Sequence, residues 1–461
     1  MVKALQLRPF LLVALLAIGG VIQAQGEASP ESSRFPLHID GTRLIDSTGH
    51  DFRIVGDAPW TLIVALTLDE ADRYLAARKA EGFNTILVEL IEPKFSGPRN
   101  RDGDFPFPES RPFESPSPQY FAHARAVLDL ALHYDFLVLL APAYVGWECG
   151  SEGWCQQMLR TPDATLRRYG KYVGTLLAAY PNLIWVHGGD VDAAHYGAMA
   201  KVEAVYQGIN AVLPGALHTA HCSRNLSAVD CYDRPWLNVN STYSDCELTP
   251  AKIRLDRRRV PARPSIYIEG RYEEEDSTGL CLRSQLWWSM LGGSVGHVFG
   301  NKRIWRFEPD WQDAMDTPAS RAMTVASTLL ARLQRTDQHP VATDLAASKV
   351  RVERMPTMWD RLTDAAYWPS QAPRLALAAA EGSDLEVPVA ESTSTTGGTT
   401  LAYLPYRSTI RYLGSNKTIC WINPRSGGVQ AADPGSPLES PDDQDWLFVA
   451  ESAVNLCAAT R

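Results

Sequence analysis

Eight short runs of apolar and β-branched residues recur between residues 54 and 301, and longer helix-like stretches separate them. The runs cover residues 54–57, 84–90, 136–142, 183–190, 216–221, 237–244, 264–270 and 296–301. Short apolar runs bounded by polar or glycine-containing segments are typical of buried strands. Strands that alternate with helices along a chain predict a parallel sheet with helices packed against it.

The segments between these runs have the spacing of amphipathic helices. Segment 67–82 begins with Thr67 and Glu70, which form a capping-box pattern, and ends at Gly82. Further helices are predicted at 119–134, 161–180, 192–213, 249–259 and 280–291. Eight such units over roughly 300 residues match the size of a (β/α)8 barrel. A doubly wound open sheet is the alternative, but the chain lacks a glycine-rich phosphate turn after its first strand.

The character of the chain changes after about Arg335. Helical periodicity fades, and Thr, Ser, Gly and Pro separate short alternating runs such as TTLAYLPY, STIRYLG, KTICWINP and DWLFVAES. This pattern is typical of a small β-sandwich. The sequence therefore predicts the α/β class, with a TIM barrel over residues 36–334 and a C-terminal β-sandwich over residues 335–461.

The N-terminus has the three-part layout of a secretory signal. Lys3 and Arg8 precede an apolar run that ends near Ala24. We predict a signal peptide over residues 1–24 and a linker over residues 25–35, in a protein that is secreted or periplasmic. Later segments offer no stretch of about 18 uninterrupted apolar residues, so we expect no membrane association after signal cleavage.

The eight cysteines of the chain fit an exported protein, because oxidising compartments allow disulfides to form. Proximity along the sequence pairs Cys149 with Cys155, Cys222 with Cys231, Cys246 with Cys281, and Cys420 with Cys457. Zinc is the alternative, but no pair has C-x-x-C spacing and only His221 is adjacent to a cysteine. We expect no metal and no other cofactor.

The net charge of −9 is spread along the sequence, and the basic run at 257–259 is short. Nucleic-acid binding depends on clustered positive charge, so the composition gives no reason to expect a nucleic-acid partner.

Two of the predicted strands deliver a carboxylate at their C-terminal ends. Asp190 follows the turn of Gly188 and Gly189, which would let a sugar approach closely, and Glu269 ends the run PSIYIE. The C-terminal ends of parallel barrel strands meet at the active-site mouth. Glycosidic bond cleavage needs two carboxyl groups, which lie about 5 to 5.5 Å apart in retaining enzymes and about 6.5 to 9.5 Å apart in inverting ones. We predict a retaining enzyme with Asp190 as general acid/base and Glu269 as nucleophile.

Both carboxylates also have a structural interpretation. Asp190 is placed to cap a helix that begins near Asp192, and Arg271 is placed to pair with Glu269. Glu273 belongs to an acidic cluster typical of a solvated loop, and it is the reserve nucleophile.

Aromatic and polar residues near the predicted strand ends are candidates for sugar binding. Aromatic faces stack on sugar rings, and polar groups bind sugar hydroxyls. For each residue alone, core packing or turn formation is the competing interpretation. The candidates are Asp57, Trp60, Tyr144, Trp147, His187, Asn240, Tyr243, Asn301 and Trp305.

Other catalytic motifs fit the sequence less well. The segment GGSVG (292–296) matches the nucleophile elbow of serine hydrolases, which places Ser294 as the nucleophile. That elbow follows a strand and opens a helix, whereas this segment follows a helix-like stretch and precedes a strand-like one. The chain contains no H-E-x-x-H motif, which argues against a zincin-type peptidase.

Six ordered segments near these strand ends and at the C-terminus carry a family resemblance. They are GDAPW (56–60), EGFNTI (81–86), WVHGGD (185–190), IEGRYE (268–273), GHVFGN (296–301) and the terminal DWLFVAES. Together they resemble the apiosidase-like glycoside hydrolases, glycoside hydrolase family 140 and its relatives, over nearly the whole mature chain. The resemblance implies a (β/α)8 catalytic domain with Asp190 as acid/base and Glu269 as nucleophile. It also implies a C-terminal domain that bears a collagen-binding label, although the charge and aromatic pattern there does not suit a triple helix.

The chain departs from the family pattern around the second carboxylate. It has IEG where family members have an aspartate and a glycine before the glutamate and a proline after it. The resemblance suggests apiose in rhamnogalacturonan side chains as the substrate, within a diverse wider family. We expect a monomeric secreted glycoside hydrolase that acts on a polysaccharide or oligosaccharide. The alternative from a different class is a non-catalytic glycan-binding or adhesive protein on the same fold.

Overall fold

The structure of the chain is a computed structural model that describes residues 34–275, 277–334, 340–343, 349–354, 389–392, 398–416, 418–433, 435, 437–452 and 455–458. The predicted signal peptide (1–24) and most of the predicted linker (25–35) lie outside these residues. Within the described ranges, no helix combines the length and the apolar character that a membrane span requires.

In the described residues, eight parallel strands form a nearly closed barrel that follows a short hairpin. The hairpin strands are β1 (His38–Asp40) and β2 (Arg43–Ile45), and the barrel strands are β3 (Ile54–Asp57), β4 (Thr85–Glu89), β5 (Leu137–Ala141), β6 (Leu183–Gly188), β7 (Leu217–His221), β8 (Asn240–Tyr243), β9 (Ser265–Glu269) and β10 (Gly296–Phe299). Hydrogen bonding orders them β7-β6-β5-β4-β3-β10-β9-β8, and β7 and β8 contact each other where the barrel closes. Each strand lies within one of the eight predicted runs, so the predicted TIM barrel is confirmed.

Helices follow most of the strands and cover the outside of the barrel. They are α1 (Leu62–Ala65), α2 (Leu68–Ala80), α3 (Pro118–His133), α4 (Cys155–Arg160), α5 (Asp163–Leu176), α6 (Met199–Asn210), α7 (Ala228–Cys231), α8 (Thr249–Arg257), α9 (Gly279–Gly292), α10 (Lys302–Trp305) and α11 (Pro318–Gln334), with 3-10 turns at Trp147–Cys149 and Trp311–Ala314. The predicted capping box at the start of α2 is present, because the Glu70 amide donates to Thr67 and the Thr67 amide donates to the Glu70 carboxylate.

Helix α6 begins later than the sequence predicts. The prediction placed its start near Asp192, whereas the helix begins at Met199. The Asp192 carboxylate instead accepts a hydrogen bond from the Ala194 amide, and Gly197 adopts a positive φ of 70°. These local turns hold residues 192–198 out of the helix.

Side chains alternate between the barrel interior and the layer beneath the helices. On β6, Ile184 and Val186 belong to the inner apolar cluster, while Trp185 belongs to the outer cluster that contains the helix residues. This alternation follows from the two-residue period of a strand. It explains why parallel strands buried on both faces have sequences that are apolar throughout.

The C-terminal region forms two antiparallel sheets. Its strands are β11 (Pro340–Thr343), β12 (Val350–Arg354), β13 (Val389–Ser392), β14 (Thr400–Leu404), β15 (Thr409–Tyr412), β16 (Thr418–Ile422), β17 (Val429–Ala431), β18 (Leu438–Glu439) and β19 (Trp446–Glu451). One sheet has the order β11-β13-β14-β19-β16-β17 and the other β12-β15-β18. Ile410 of the smaller sheet and Trp421 and Phe448 of the larger one share an apolar core, as predicted for a small β-sandwich.

Helix α9 joins the barrel to the C-terminal sheets, and every residue from Cys281 to Leu291 is buried. It contacts β10 on the barrel side and β14 on the other side. Arg283 Nε and Nη2 donate to the two carboxylate oxygens of Asp445 at 2.7 and 2.9 Å, and the Tyr403 hydroxyl also donates to Asp445. The Trp288 ring meets the edge of Tyr403 with 6.1 Å between ring centroids. A buried ion pair and an aromatic contact therefore fix the sheets to the barrel.

All four predicted disulfides are confirmed, with Cα–Cα distances between 5.0 and 6.1 Å. Cys420–Cys457 ties β16 to the segment after β19, and Cys246–Cys281 ties the segment after β8 to α9.

Candidate active site

Asp190, His221 and Glu269 form a contiguous group at the C-terminal ends of the barrel strands. Nδ1 of His221 lies 3.3 Å from a carboxylate oxygen of Asp190, and Nε2 of the same ring is hydrogen bonded to Glu269. One oxygen of each acid and a ring nitrogen all lie within 4.8 Å of one another. The two acids follow the fourth and end the seventh strand of the barrel, so the structure brings together the two carboxylates that the sequence singled out.

The position of Asp190 depends on the two glycines before it. Gly188 has a positive φ of 81°, and a Cβ on it would lie 2.4 Å from the His221 carbonyl oxygen. A Cβ on Gly189 would lie 2.7 Å from the Gly146 amide nitrogen. Neighbouring backbone therefore occupies the space that the sequence analysis reserved for a sugar. The glycines allow the chain to turn tightly against the adjacent loops.

The electrostatics of the group are set by burial and by the two negative charges around one imidazole. Burial opposes protonation of His221, but the charge and hydrogen bond of Glu269 and the charge of Asp190 together raise the pKa of His221 to about 9. The ring is therefore an imidazolium at neutral pH. Both carboxylates contact the same buried cation.

Asp190 titrates close to neutrality. Burial and the negative charge of Glu269 raise the pKa of Asp190 to about 7, against the opposing effect of His221. A carboxyl group with this pKa can both donate and accept a proton near neutral pH, which is what a general acid/base must do.

The same three side chains are close enough to hold a metal ion. A metal ion that binds here would have to displace the proton of His221, so its binding would weaken as the pH falls.

Asp190 and Glu269 line a cavity of about 370 Å³ at the mouth of the barrel. Its wall combines acidic groups, two arginines and several aromatic rings, as expected of a site that binds a polar ligand through stacking and hydrogen bonds. The lining includes Trp60, Glu89, Phe95, Tyr144, Arg224, Tyr243, Tyr272 and Trp305. Four predicted sugar-binding residues, Trp60, Tyr144, Tyr243 and Trp305, are therefore in the cavity wall.

The aromatic residues of the wall contact one another and the histidine. Trp60 lies 5.2 Å from Tyr144 and 5.6 Å from His221 between ring centroids, and its indole N–H donates to the Tyr272 hydroxyl. Trp60 is buried, so its orientation is fixed by these contacts.

Asp57 and His187 were predicted as sugar-binding residues but lie away from the cavity. The Asp57 carboxylate accepts hydrogen bonds from Arg78 Nε and the Tyr74 hydroxyl, each at 2.6 Å. His187 packs against His218, with 3.0 Å between Nε2 and Nδ1. Strand alternation explains the result for His187, because it follows Val186 and so faces the outer layer.

Asn240, Asn301 and Trp147 also lie outside the cavity wall. Asn240 begins β8, so it lies at the opposite end of the strand, where its amide donates to Ser265. Asn301 caps α10 and donates to the Glu273 carboxylate. Trp147 is 56% exposed on a 3-10 turn. Turn and cap formation, the competing interpretation, accounts for Asn301.

The competing interpretations of the two acids do not match the contacts. Asp190 precedes the start of α6 by nine positions and so does not cap it. Arg271 Nε lies 2.8 Å from Asp245, while Glu269 is hydrogen bonded to His221. Arg271 was the partner that the sequence suggested.

The remaining nucleophile candidates occupy structural positions. Glu273 accepts hydrogen bonds from Asn301 and Thr317. Ser294 is 1% exposed between α9 and β10, in the order opposite to a nucleophile elbow.

Three side chains of the site, His221, Glu89 and Arg224, were not among the predicted site residues. His221 ends β7 and Glu89 ends β4, so the strand-end criterion applied to the two acids would have found both. Arg224 lies in the loop after β7, where its Nε is 2.7 Å from Asp245, and no strand-end signal marks it.

Comparisons with known proteins agree with this architecture. The family model described as the Apiosidase-like catalytic domain matches residues 39–337. A solved structure described as a glycoside hydrolase has a TM-score of 0.71 at 18% identity, and the match covers 91% of this chain and 98% of that one. A glycoside hydrolase family 5 protein from Bacteroides vulgatus has a TM-score of 0.72 at 16% identity, with 91% and 96% covered. At these identities the structural likeness concerns the fold.

No curated protein matches the sequence. The family match ends at residue 337, before the first C-terminal strand, so it does not confirm the collagen-binding label of the C-terminal region.

Proposed function

Because this chain is a glycoside hydrolase of the apiosidase-like family, we propose that it cleaves its substrate with retention of configuration, using Asp190 as general acid/base and Glu269 as nucleophile. The observation that carries this proposal is the short separation of the two acids, whose nearest oxygens lie within 4.8 Å. Retaining enzymes hold their carboxyl groups about 5 to 5.5 Å apart, and inverting enzymes need about 6.5 to 9.5 Å to admit a water.

In the first step a Glu269 oxygen bonds to the anomeric carbon while the bond from that carbon to the leaving oxygen breaks. Asp190 gives its proton to the leaving oxygen. In the second step Asp190 takes a proton from water, the water oxygen bonds to the anomeric carbon, and the ester bond to Glu269 breaks. The pKa of about 7 suits Asp190 to both halves of this cycle.

His221 is a positioning residue in this scheme. Its Nε2–H is directed to Glu269 and its Nδ1 side faces Asp190, so it holds both carboxylates in place. Its positive charge offsets two negative charges that would otherwise lie together in a poorly solvated site.

The cavity has room for a small number of sugar units. Its volume of about 370 Å³ lies at the lower end of the range for ligand pockets. Trp60, Tyr144, Tyr243 and Trp305 offer aromatic faces to a sugar ring. The proposed substrate class is a polysaccharide or oligosaccharide, with apiose-bearing pectin as the first candidate from the family relationship.

The proposal also includes export of the protein and the positions of its domain boundaries. Four disulfides support an extracellular or periplasmic location. We retain the signal peptide at 1–24, the linker at 25–35, the catalytic domain at 36–334 and the C-terminal domain at 335–461, in a monomeric protein. Sequencing the N-terminus of the exported protein tests the first boundary.

The test of function is hydrolysis of a plant and microbial polysaccharide panel by the mature protein, with Asp190→Ala and Glu269→Ala as variants. We expect sugar release by the wild type alone. The anomeric configuration of the first product, followed by NMR, distinguishes retention from inversion. Binding without cleavage by all three proteins would instead indicate the glycan-binding alternative.

Azide distinguishes the two roles once a substrate with a good leaving group is available. With Asp190→Ala, azide attacks the glycosyl-enzyme and gives a glycosyl azide of retained configuration. With Glu269→Ala, azide attacks the substrate directly and gives the opposite anomer. The reverse assignment of products would exchange the two roles.

A further inference from the structure

Glu89 is a further carboxyl group in the wall of the cavity that Asp190 and Glu269 line. It ends β4, the second strand of the barrel, and is 4% exposed. Its backbone amide donates to the Trp60 carbonyl at 2.8 Å, which places it beside an aromatic ring of the cavity wall.

The Glu89 side chain lacks the partners that buried carboxyl groups normally have. Its Oε2 atom is buried and finds no hydrogen-bond partner among the described residues. Glu92, three positions later and equally buried, accepts hydrogen bonds from the amides of Lys94, Phe95, Ser96 and Gly97. Buried polar atoms in native proteins are almost always hydrogen bonded. The partner of Glu89 is therefore expected to enter from the cavity.

The protonation state of Glu89 indicates what kind of partner this is. Burial, with a smaller contribution from the charge of Glu92, raises the pKa of Glu89 well above its usual value. A neutral carboxyl group has one O–H donor and retains acceptor capacity. A sugar hydroxyl is likewise both a donor and an acceptor, so the two groups are complementary.

We propose that Glu89 is a sugar-binding residue whose carboxyl group holds one hydroxyl of a sugar unit bound in the cavity, and that it favours a neutral sugar there. This inference rests on the proposed function, because it assigns the sugar unit that the two catalytic acids cleave. A uronic acid placed with its carboxylate at this point would bury its charge beside a neutral carboxyl group, in a cavity that Asp190 and Glu269 also line. Burying a charge without a cationic partner is costly, so a neutral sugar is favoured there.

Two variants separate hydrogen bonding from space filling. Glu89→Gln keeps a donor and an acceptor, and Glu89→Met keeps the volume but has neither donor nor strong acceptor. Glu109→Gln, at an exposed position outside this cavity, is the matched control. Kinetics use the substrate that the polysaccharide panel identifies, and thermal melting reports the stability of each variant.

We expect Glu89→Met to lower kcat/KM about tenfold or more, mainly through KM, because one hydrogen bond to the sugar is lost. Glu89→Gln should lose clearly less than Glu89→Met, because it keeps a donor and an acceptor, and Glu109→Gln should match wild type. Equal kinetics for wild type and Glu89→Met would overturn the inference. Equal losses for the Gln and Met variants, accompanied by equal falls in melting temperature, would also overturn it, since they indicate a purely structural role.

A comparison of inhibitors that starts with the wild type guards against a variant that fails to fold. Inhibition is compared between the released monosaccharide and its monodeoxy derivatives. One derivative should inhibit about tenfold more weakly than the parent sugar, and this difference should vanish in Glu89→Met. If every derivative inhibits like the parent, Glu89 holds no hydroxyl.

Direct binding distinguishes failure of this inference from failure of the proposed function. The probes are galactose with galacturonate and glucose with glucuronate, titrated into wild type and Glu89→Met by ligand-observed NMR. Neutral sugars that bind wild type but not Glu89→Met, in a protein that cleaves nothing, would retain the Glu89 site and reject the hydrolase mechanism. Cleavage by both proteins with unchanged KM would retain the mechanism and reject the Glu89 site.

Discussion

Nδ1 of His221 lies 3.3 Å from Oδ1 of Asp190, on the side of the ring opposite the hydrogen bond to Glu269. One imidazolium thus contacts both acids. Its effect on each carboxylate is open to measurement, because the ring can be changed without altering either acid.

The pH dependence of activity should follow the protonation of Asp190. Its pKa is raised to about 7, so the proton-donating form predominates below that pH and is lost above it. We expect kcat/KM to fall about tenfold per pH unit above pH 7, because this parameter reports the free enzyme. With Asp190→Ala and a substrate that needs no leaving-group protonation, the fall should disappear. A wild-type profile that stays flat to about pH 9 would contradict the assignment.

Replacing His221 by Gln should separate its charge from its hydrogen bond. Glutamine still donates to Glu269 but carries no charge. We expect kcat/KM to fall by about 10²-fold, comparable to the loss of one electrostatic contact in an active site. The positive charge of His221 lowers the pKa of Asp190, so its removal should raise that pKa. The alkaline limb of the pH–activity profile should therefore move to higher pH.

His218→Gln is the matched control for this experiment. His218 lies on the same strand and is equally buried, but it contacts His187 rather than the acids. Its pKa is lowered to about 4 by burial, so the replacement leaves the charge at neutral pH unchanged. If the alkaline limb of the pH–activity profile does not move in His221→Gln, the charge of His221 does not lower the pKa of Asp190.

Glu92→Gln should loosen the loop that carries Phe95. Four backbone amides of residues 94–97 donate to the Glu92 carboxylate, and the Phe95 ring meets Trp305 in the cavity wall at 4.7 Å between centroids. An amide cannot accept from all four donors. We expect faster hydrogen exchange at residues 94–97 and a KM raised about three- to tenfold.

Asn100→Ala provides a control in the same loop. The Asn100 side chain accepts from the amides of Asp102 and Asp104, away from the cavity wall. The Asn100→Ala variant should change amide hydrogen exchange near Asn100 without changing KM. Similar KM values for both variants would show that Phe95 does not contribute to binding.

Arg283→Met should destabilise the whole protein. The variant leaves the Asp445 carboxylate buried with one of its cationic partners missing, which costs about 3 kcal/mol of unfolding free energy. Urea unfolding followed by tryptophan fluorescence measures this change. Arg321→Met removes an exposed ion pair with Asp316 and should leave the unfolding free energy unchanged. Equal effects of the two changes would contradict a coupling role for Arg283.

The strand pattern predicted the barrel because each buried strand is locally apolar, and this property needs no knowledge of tertiary contacts. The two acids were predictable for the same reason, since strand-end position alone brought them together. His221 also ends a strand, so the same criterion would have selected it as a candidate. Its position between the two acids, however, depends on the pairing of Gly188 with His221 across neighbouring strands, which the local sequence does not show.

Side-chain direction was the second limit of the sequence analysis. Asp57 ends a strand just as Glu269 does, but its carboxylate is bonded to Arg78. An ion pair with a residue on a following helix leaves no local trace in the sequence. The aromatic residues Trp60 and Tyr243 line the cavity as predicted, although core packing was the competing interpretation for each.

Helix α9 has consequences for how the chain can be divided. The region recognised as a family ends at residue 337, yet the outer face of this helix is covered by β14, and Arg283 depends on Asp445. A fragment cut at that limit would expose Trp288 to water and strip a buried guanidinium of its counter-ion. The segment that matches the family is therefore shorter than the segment whose contacts complete the fold, and expression of the barrel alone is expected to give an insoluble product.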